Sequence, residues 1–197
     1  QLMSTLYIVA TPIGNLEDIS LRALRVLKEA DLILAEDTRV TTKLLTKHEI
    51  KKPLISYHQH SGPDKVNEIL KRIQQVQTTV LVSDAGTPGI NDPGGMLIEY
   101  IVKLAKGIKI IPIPGSNAAI TALSVAGFPS DRFLYLGFPP NKKGRKTFFK
   151  EIEETDLTVV FYESRFRIKK ALQELPQDRE VVVARELTKQ FETFYRG

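Results

Sequence analysis

The sequence of 197 residues contains no cysteine and only three histidines, His48, His58 and His60. Without cysteine the chain can form neither a disulfide framework nor a thiolate metal site. The histidines have no closely spaced partner ligand, and no paired acids on one predicted helix suggest a divalent cation. We therefore expect a protein without a bound metal.

Long apolar runs are also missing. No stretch reaches the roughly 18 apolar residues that a membrane helix needs, and the N-terminus lacks a basic-then-apolar signal pattern. We expect a cytoplasmic protein that uses no membrane. The net charge of +5 permits an anionic partner without requiring one.

Two phosphate-binding motifs are absent as well. Gly14 stands alone after the first predicted strand, so the dinucleotide fingerprint G-x-G-x-x-G is not formed. The segment GRKT at 144–147 lacks the Gly-Lys-Thr adjacency of a Walker loop and follows no buried strand. These absences leave room for a nucleoside-like ligand that carries few phosphates.

Short apolar strands alternate with helical patterns along the first half of the chain. Strands are predicted at Leu6–Ala10, Asp31–Ala35 and Ile108–Ile113, and a helix at Ser20–Ala30 that either Ser20 or Asp18 could cap. Alternation with short connections predicts a mainly parallel sheet covered by helices.

The pattern changes near Pro114, where a helix of small residues begins and further strands and helices follow. We expect an α/β protein of two α/β domains, residues 1–113 and 114–197, with a ligand cleft between them. The chain stops at Gly197 inside an alternating apolar pattern, so we expect the second domain to be incomplete at its C-terminus.

Three loops rich in glycine or proline follow predicted strands, at 11–18, 83–95 and 114–119. In open parallel sheets, ligands bind outside the carboxyl ends of the strands. Glycine in such loops lets the backbone approach a flat ligand closely. Each loop alone could be a tight turn, but the three together favour a walled pocket.

Five ordered motifs give the chain a family resemblance: YIVATPIGNLEDISLRAL, LAEDTR, SDAGTPGINDPG, PGSNAAITALSVAG and FYESRFRI. Together they resemble the tetrapyrrole-methylase superfamily of S-adenosylmethionine-dependent methyltransferases. Within it they are similar to the branch that methylates a cytidine ribose 2′-oxygen in small-subunit (16S) ribosomal RNA. The turn Thr11–Gly14 replaces the usual double glycine of the superfamily, which matches this branch and counts against a precorrin substrate.

The resemblance implies S-adenosylmethionine as methyl donor, a homodimer, and further sequence beyond Gly197. It also implies where the donor lies, in the interdomain cleft, with Arg185 near one side. The positions that it assigns to donor binding are Ile13, Gly14, Thr87, Ile90, Asn117, Ala118, Tyr162 and Ala184.

Methyl transfer is an in-line displacement that depends on positioning, and a general base would help to activate a ribose hydroxyl. We predict Asp37, Arg39 and Glu163 as catalytic residues. For Asp37 the alternative is the N-cap of a helix. Other candidates at predicted strand ends are Glu36, His58 and His60, and Asp84 and Asp92 could be functional or simply close a turn.

A basic segment follows the first predicted strand of the second domain. We predict that Lys142, Lys143, Arg145 and Lys146 bind RNA, because positive charge beside aromatic residues suits phosphate contact and base stacking. A solvated linker is the alternative. The neighbouring residues of this pattern are Phe138, Phe148, Phe149 and Lys150.

Taken together, the sequence predicts an RNA ribose 2′-O-methyltransferase whose partner is small-subunit ribosomal RNA or the assembled small subunit. Two alternatives stay open. One is a methyltransferase for a small molecule of the tetrapyrrole type, and the other is a non-catalytic nucleotide-binding module.

Overall fold

The computed structural model of the chain describes residues 3–58, 62–105 and 107–197. The chain divides into two compact units, Gln1–Asn117 and Ala118–Gly197. The division falls after Asn117, whereas the sequence pattern placed it after Ile113. Each unit is described by itself below.

The first unit is built on one five-stranded sheet. Its strands lie in the order β3-β2-β4-β1-β5, and every neighbouring pair is parallel. The strands are β1 (Ser4–Val9), β2 (Leu32–Ala35), β3 (Leu54–Ser56), β4 (Thr78–Leu81) and β5 (Ile108–Ile113). The helices are α1 (Leu21–Glu29), α2 (Thr38–Lys47), α3 (Pro63–Gln74) and α4 (Gly95–Leu104), with a 3-10 helix at Leu16–Asp18.

Both faces of this sheet are covered by helices, so most residues of its central strands are buried. All four residues of β2 are buried, as expected for a parallel strand between two helical layers. On one face α1 and α2 pack with Val9 of β1, and on the other α3 and α4 pack with Leu6 and Ile8. The mainly parallel sheet predicted for the first half of the chain is confirmed.

Polar side chains cap two helices of this unit at their first turns. The hydroxyl of Ser20 accepts a hydrogen bond from the backbone of Ala23 at 3.0 Å, which makes Ser20 the cap of α1. A carboxylate oxygen of Asp37 accepts one from Arg39 N at 2.8 Å, which makes Asp37 the cap of α2. Each cap satisfies a backbone donor that the first helical turn leaves free.

The second unit contains two small sheets and three helices. Phe148 and Phe149 form its apolar core with Phe161, through edge-to-face ring contacts. Strands β6 (Phe133–Gly137) and β7 (Thr158–Phe161) pair in parallel, and β8 (Val182–Arg185) and β9 (Thr193–Arg196) pair antiparallel. The helices are α5 (Ala118–Ala126), α6 (Arg145–Glu154) and α7 (Ile168–Glu174).

The helices of both units are short. Within residues 3–58, 62–105 and 107–197, none has both the length and the apolar character that crossing a bilayer requires.

Candidate functional site

The loops that follow β1 and β4 are joined at the carboxyl edge of the first sheet. Thr11 and Gly86 form an antiparallel bridge in which Thr11 N donates to Gly86 O at 2.9 Å and Gly86 N donates to Thr11 O at 3.0 Å. The Thr11 hydroxyl also donates to Ser83 O at 3.1 Å and is buried. The two loops therefore form one rigid structure.

The loop after β5 is tied to the same structure. The Thr87 hydroxyl donates to Ser116 O at 3.2 Å, and the Ser116 hydroxyl donates to Asp18 O at 3.5 Å. The three loops that the sequence singled out thus meet at one edge of the sheet, where ligands bind in folds of this kind.

Gly86 is one residue of this edge at which a side chain would be strained. Its φ is +85°, in the left-handed region that favours glycine. A Cβ at this position would lie 3.4 Å from Ile13 Cγ2 and 3.6 Å from Ser116 O. The glycine therefore leaves bare backbone beside Ile13, in the gap between the three loops.

Several residues predicted to bind the donor lie close together in the first unit. Ile13 faces Gly86, Thr87 bonds to the residue before Asn117, and Ile90 N donates to Thr87 O at 3.4 Å. Gly14 follows Ile13 in the loop after β1. The structure thus brings the first-unit positions of the predicted set to one edge.

The predicted positions of the second unit fall into two places. Ala118 begins α5, and the next residue, Ala119, donates its N–H to the Tyr162 hydroxyl at 3.2 Å. Ala184 lies on β8 opposite Phe194. Among the hydrogen bonds and ring contacts of the described residues, none joins Ala184 to Tyr162.

Acidic residues gather at the ends of β2 and β4. Asp37 N donates to Asp84 Oδ1 at 2.9 Å, which links the two strand ends. The Ser56 hydroxyl and His58 Nε2 lie 2.8 Å apart beside them, whereas His60 lies outside the described residues. An open depression of ≈ 430 Å³ is lined by Glu36, Asp37, Thr38, Arg39, Ser56, His58 and Asp84.

Asp37 forms a bidentate ion pair with Arg39. Arg39 Nε donates to Asp37 Oδ1 at 3.0 Å and Nη2 donates to Oδ2 at 2.6 Å, while the Arg39 side chain remains 87% exposed. The hydrogen bonds from Arg39 lower the pKa of Asp37 to about 2. An efficient general base has a pKa near the working pH, so this geometry favours the helix-capping role of Asp37 over a role as base.

The pKa of Asp92 is shifted upwards, in the opposite direction to that of Asp37. The pKa of the Asp92 carboxyl is raised to about 6, chiefly by burial; a hydrogen bond with Ser83 lowers it, and the nearby charges of Glu36 and Asp84 raise it. The pKa of Glu36 is also raised, first by burial and then by Asp84. Two acids at this edge therefore hold protons more tightly than exposed carboxyls do, and the sequence alone carries no signal for it.

Arg145 is an interior residue, in contrast to the RNA contact that its basic neighbours suggested. It is only 5% exposed, and its Nε and Nη2 donate to the Glu174 carboxylate at 2.9 and 2.5 Å. Its Nη1 donates to Pro140 O at 3.1 Å and lies 3.7 Å from Glu163 Oε2. Two groups of the second unit thus accept hydrogen bonds from the buried guanidinium and a third pairs with its charge, which disfavours contact with a phosphate.

The other residues of the basic segment lie partly in the core and partly on the surface. Phe148 and Phe149 are buried in the core, and Lys150 pairs with Glu154 at 3.3 Å on the surface of α6. The lysines at 142, 143 and 146 are exposed. The surface charge that the pattern indicated is therefore carried by these three lysines and by Lys150, whose charge is paired with Glu154.

Glu163 is held in the interior of the second unit. Its side chain is 1% exposed, and Oε1 accepts a hydrogen bond from Ser164 N at 2.6 Å and lies 3.2 Å from Arg167 Nε. Its Oε2 makes no hydrogen bond with the residues that the structure describes and lies 3.7 Å from Arg145 Nη1. Glu163 therefore stands between two arginines, as a link between α6 and the turn after β7.

Metal ligands are not clustered in the described part of the chain. No group of three or more histidine, aspartate or glutamate side chains there has the arrangement to hold a metal ion.

Comparison with known proteins identifies the class that this fold and edge define. Residues 5–197 match the family described as Tetrapyrrole (Corrin/Porphyrin) Methylases. The fold is shared with a cobalt precorrin-4 methyltransferase, at a TM-score of 0.67 and 22% identity over 98% of this chain and 84% of that one. It is shared with a diphthine synthase at a TM-score of 0.72 and 16% identity, over 98% and 81%. The chain belongs to the tetrapyrrole methylase family, as its five motifs predicted, and this family implies S-adenosylmethionine as methyl donor.

Curated relatives place it within that family. The Escherichia coli O157:H7 protein named ribosomal RNA small subunit methyltransferase I is 51% identical over 96% of this chain and 68% of its own length. The proteins of that name from Halalkalibacterium halodurans and Thermotoga maritima are 48% and 44% identical, over 98% and 99% of this chain and 68% and 88% of their own lengths. Within the tetrapyrrole methylase family, this chain belongs to the branch formed by these methyltransferases, so it is an enzyme of the methyltransferase class.

Proposed function

We propose that the chain methylates the ribose 2′-oxygen of a cytidine in small-subunit ribosomal RNA, with S-adenosylmethionine as donor. The observation that carries the proposal is the joined edge of three loops around Gly86, in a chain whose relatives bear the name of this substrate. On this proposal the protein works in the cytoplasm, on naked RNA or on the assembled subunit, and as a homodimer.

The residues at the edge fit the donor. When bound, S-adenosylmethionine supplies a methyl group made electrophilic by its sulfonium sulfur. Bare backbone at Gly86 beside Ile13 leaves a slot that a Cβ would fill, and a flat adenosyl group suits such a slot. Gly14, Thr87, Ile90 and Asn117 belong to the same three loops and stay predictions, as do Ala118, Tyr162 and Ala184 of the second unit.

Gly86→Ala tests the slot. We expect this variant to bind S-adenosylmethionine about tenfold more weakly by calorimetry, since the added methyl group occupies the slot in contact with Ile13 Cγ2. Gly107→Ala is the matched control, because Gly107 has a φ of +98° and nothing within 4 Å of its Cβ position. Equal losses of donor affinity in both variants would contradict the slot.

The chemistry of the acceptor requires a group that removes the proton of the ribose hydroxyl. Among the acids of the depression and its surroundings, Asp92 has the pKa suited to this role at neutral pH, about 6. We assign it the role of base in this proposal. Arg39 and Glu163 stay predictions, and their geometry supports an ion-pair role for each.

The exposed lysines supply the contact with RNA. We expect the double variant Lys142→Glu/Lys143→Glu to bind ribosomal RNA more weakly and to lower the slope of log K against log salt by about 2, because each lysine neutralises about one phosphate. Donor affinity should stay unchanged.

The control for this variant is Lys51→Glu/Lys52→Glu, which changes the net charge equally with two adjacent lysines of the first unit. If both double variants lose RNA affinity equally, the attraction comes from net charge and the lysines at 142 and 143 form no contact surface.

The function itself is tested by transfer of labelled methyl from S-adenosylmethionine to unmodified small ribosomal subunits, naked ribosomal RNA and a precorrin in parallel. We expect label on a cytidine ribose of the RNA. Label on the precorrin alone would replace the proposal with a small-molecule methyltransferase. Donor binding without any transfer would indicate a non-catalytic module.

A further inference from the structure

An aromatic ring stands almost free in solvent in the turn after β7. The Phe166 residue is 82% exposed, although burial of a phenylalanine side chain is favourable by about 1.5–3 kcal/mol. The guanidinium carbon of Arg165, which is exposed too, lies 4.6 Å from the centre of the ring. The ring and the guanidinium thus form a cation–π pair at the surface.

The turn that carries this pair is held firmly. Ser164 O accepts hydrogen bonds from Arg167 N and Ile168 N, both at 3.0 Å. Glu163 Oε1 accepts from Ser164 N at 2.6 Å and pairs with Arg167 Nε at 3.2 Å. The backbone on both sides of Phe166 is therefore fixed, so little conformational entropy is lost when a partner binds the ring.

The surroundings of the ring are basic. Lys169 and Lys170 follow it on α7 and are exposed. Because β6 and β7 are parallel neighbours, the turn leaves the same edge of their sheet as the loop that carries Lys142 and Lys143. Arg145 ties that loop to the turn through Pro140 O and Glu163. An apolar ring among cations suits a partner that has flat apolar faces and negative charge.

We propose that Phe166 and Arg165 form a stacking platform for an unpaired nucleobase of the RNA substrate. Aromatic rings and guanidinium planes stack on splayed bases, and flanking lysines contact the phosphates on either side. This inference rests on the proposed function for the identity of the substrate, and it adds residues of the second unit that contact the RNA.

The chain contains no tryptophan, which makes a direct test possible. Phe166→Trp places the sole tryptophan on the platform, and its emission can be excited apart from that of the six tyrosines. We expect a single-stranded RNA of about 12 nucleotides to quench its emission, since stacking on a base quenches indole. Phe191→Trp is the matched control, at a 71% exposed phenylalanine in the β8–β9 connection of the same unit. Equal quenching of both reporters, or of neither, would overturn the platform.

Phe166→Ala gives the second readout in the full chain. We expect the Kd for RNA and the KM for ribosomal RNA to rise about tenfold, within the range for loss of one stacked base, with kcat and donor Kd within about twofold. Phe166→Tyr should restore RNA affinity. If the Phe166→Ala and Phe166→Tyr variants have equal affinity for RNA, the platform is overturned. If Phe166→Ala changes the sedimentation coefficient and the RNA affinity in step, the ring belongs to an interface between copies of the chain, which also overturns the platform.

Failure of the proposed function would be visible separately. An unsubstituted chain that methylates no RNA, while the Phe166→Trp reporter is quenched and the Phe191→Trp reporter is not, would retain the platform and refute the methyl transfer. Methylated RNA with an unquenched Phe166→Trp reporter would retain the function and refute the platform.

Discussion

Asp92→Asn is expected to lower kcat for methyl transfer to ribosomal RNA by about 10²–10⁴-fold, the usual contribution of a general base. The unsubstituted enzyme should show a kcat that rises with pH and levels off above about pH 6, where burial places the pKa of Asp92. The variant should lose that rise, and its donor Kd should stay within about twofold. Single-turnover rates between pH 5 and 8 provide the measurement.

Asp37→Asn is the matched control, because its carboxyl is already ionised through its ion pair with Arg39 and has a pKa of about 2. This variant should keep the rise near pH 6. If Asp37→Asn abolishes the rise and Asp92→Asn keeps it, the assignment of the base to Asp92 is wrong and the sequence-based prediction of Asp37 stands.

Stability measurements separate this catalytic effect from unfolding. The folded state binds the Asp92 proton more tightly than the unfolded state does, so this contribution is full below about pH 4 and is lost as pH rises through about 6. At pH 7.5 the ionised, half-buried carboxylate therefore opposes folding. We expect Asp92→Asn to unfold in urea at a concentration no lower than that for the unsubstituted chain at this pH.

Arg145→Met is expected to lower the free energy of unfolding by about 2–4 kcal/mol. Removing the guanidinium unpairs Glu174 and takes one of two arginines away from the buried carboxylate of Glu163, which keeps its pair with Arg167. The value lies below that for a fully buried pair because Glu174 keeps partial contact with water, which screens its charge. Urea unfolding monitored by circular dichroism measures the change.

The control is Lys146→Met, at the exposed neighbour of Arg145, which should change stability by less than about 0.5 kcal/mol. Adding Glu174→Gln and Glu163→Gln to Arg145→Met should recover part of the loss, since no buried charge is then left without a partner. An Arg145→Met chain as stable as the control but deficient in RNA binding would restore Arg145 to the RNA surface.

The elements of the first unit could be predicted because local signals determine them. The apolar run Ile108–Ile113 coincides with β5, and Ser20 caps α1. The order of the strands could not be predicted, since the position of β4 between β1 and β2 depends on pairing between residues far apart in the chain.

The sequence predicted which loops meet at the site, but it did not predict which charged residues are buried. Glycine and proline mark the loops locally, and parallel strands bring them together. Arg145 has the same local surroundings as Lys143 and Lys146, and its burial depends on Glu174, 29 residues further on. The raised pKa of Asp92 likewise depends on burial and on Glu36, which belongs to a different strand end.

The place of β4 in the sheet also determines when the first unit can be assembled during synthesis. Both sheet neighbours of β1 come later in the chain, at Thr78–Leu81 and Ile108–Ile113. At about 5–20 residues per second, the ribosome needs on the order of 4–15 s after releasing β1 before β4 is made. During that interval Leu6, Ile8 and Val9 form an apolar strand with two open edges, which is the form of nascent chain that aggregates or engages chaperones. Slow translation around residues 60–80 would prolong this exposure, so the yield of folded enzyme depends on the rate at which its mRNA is translated.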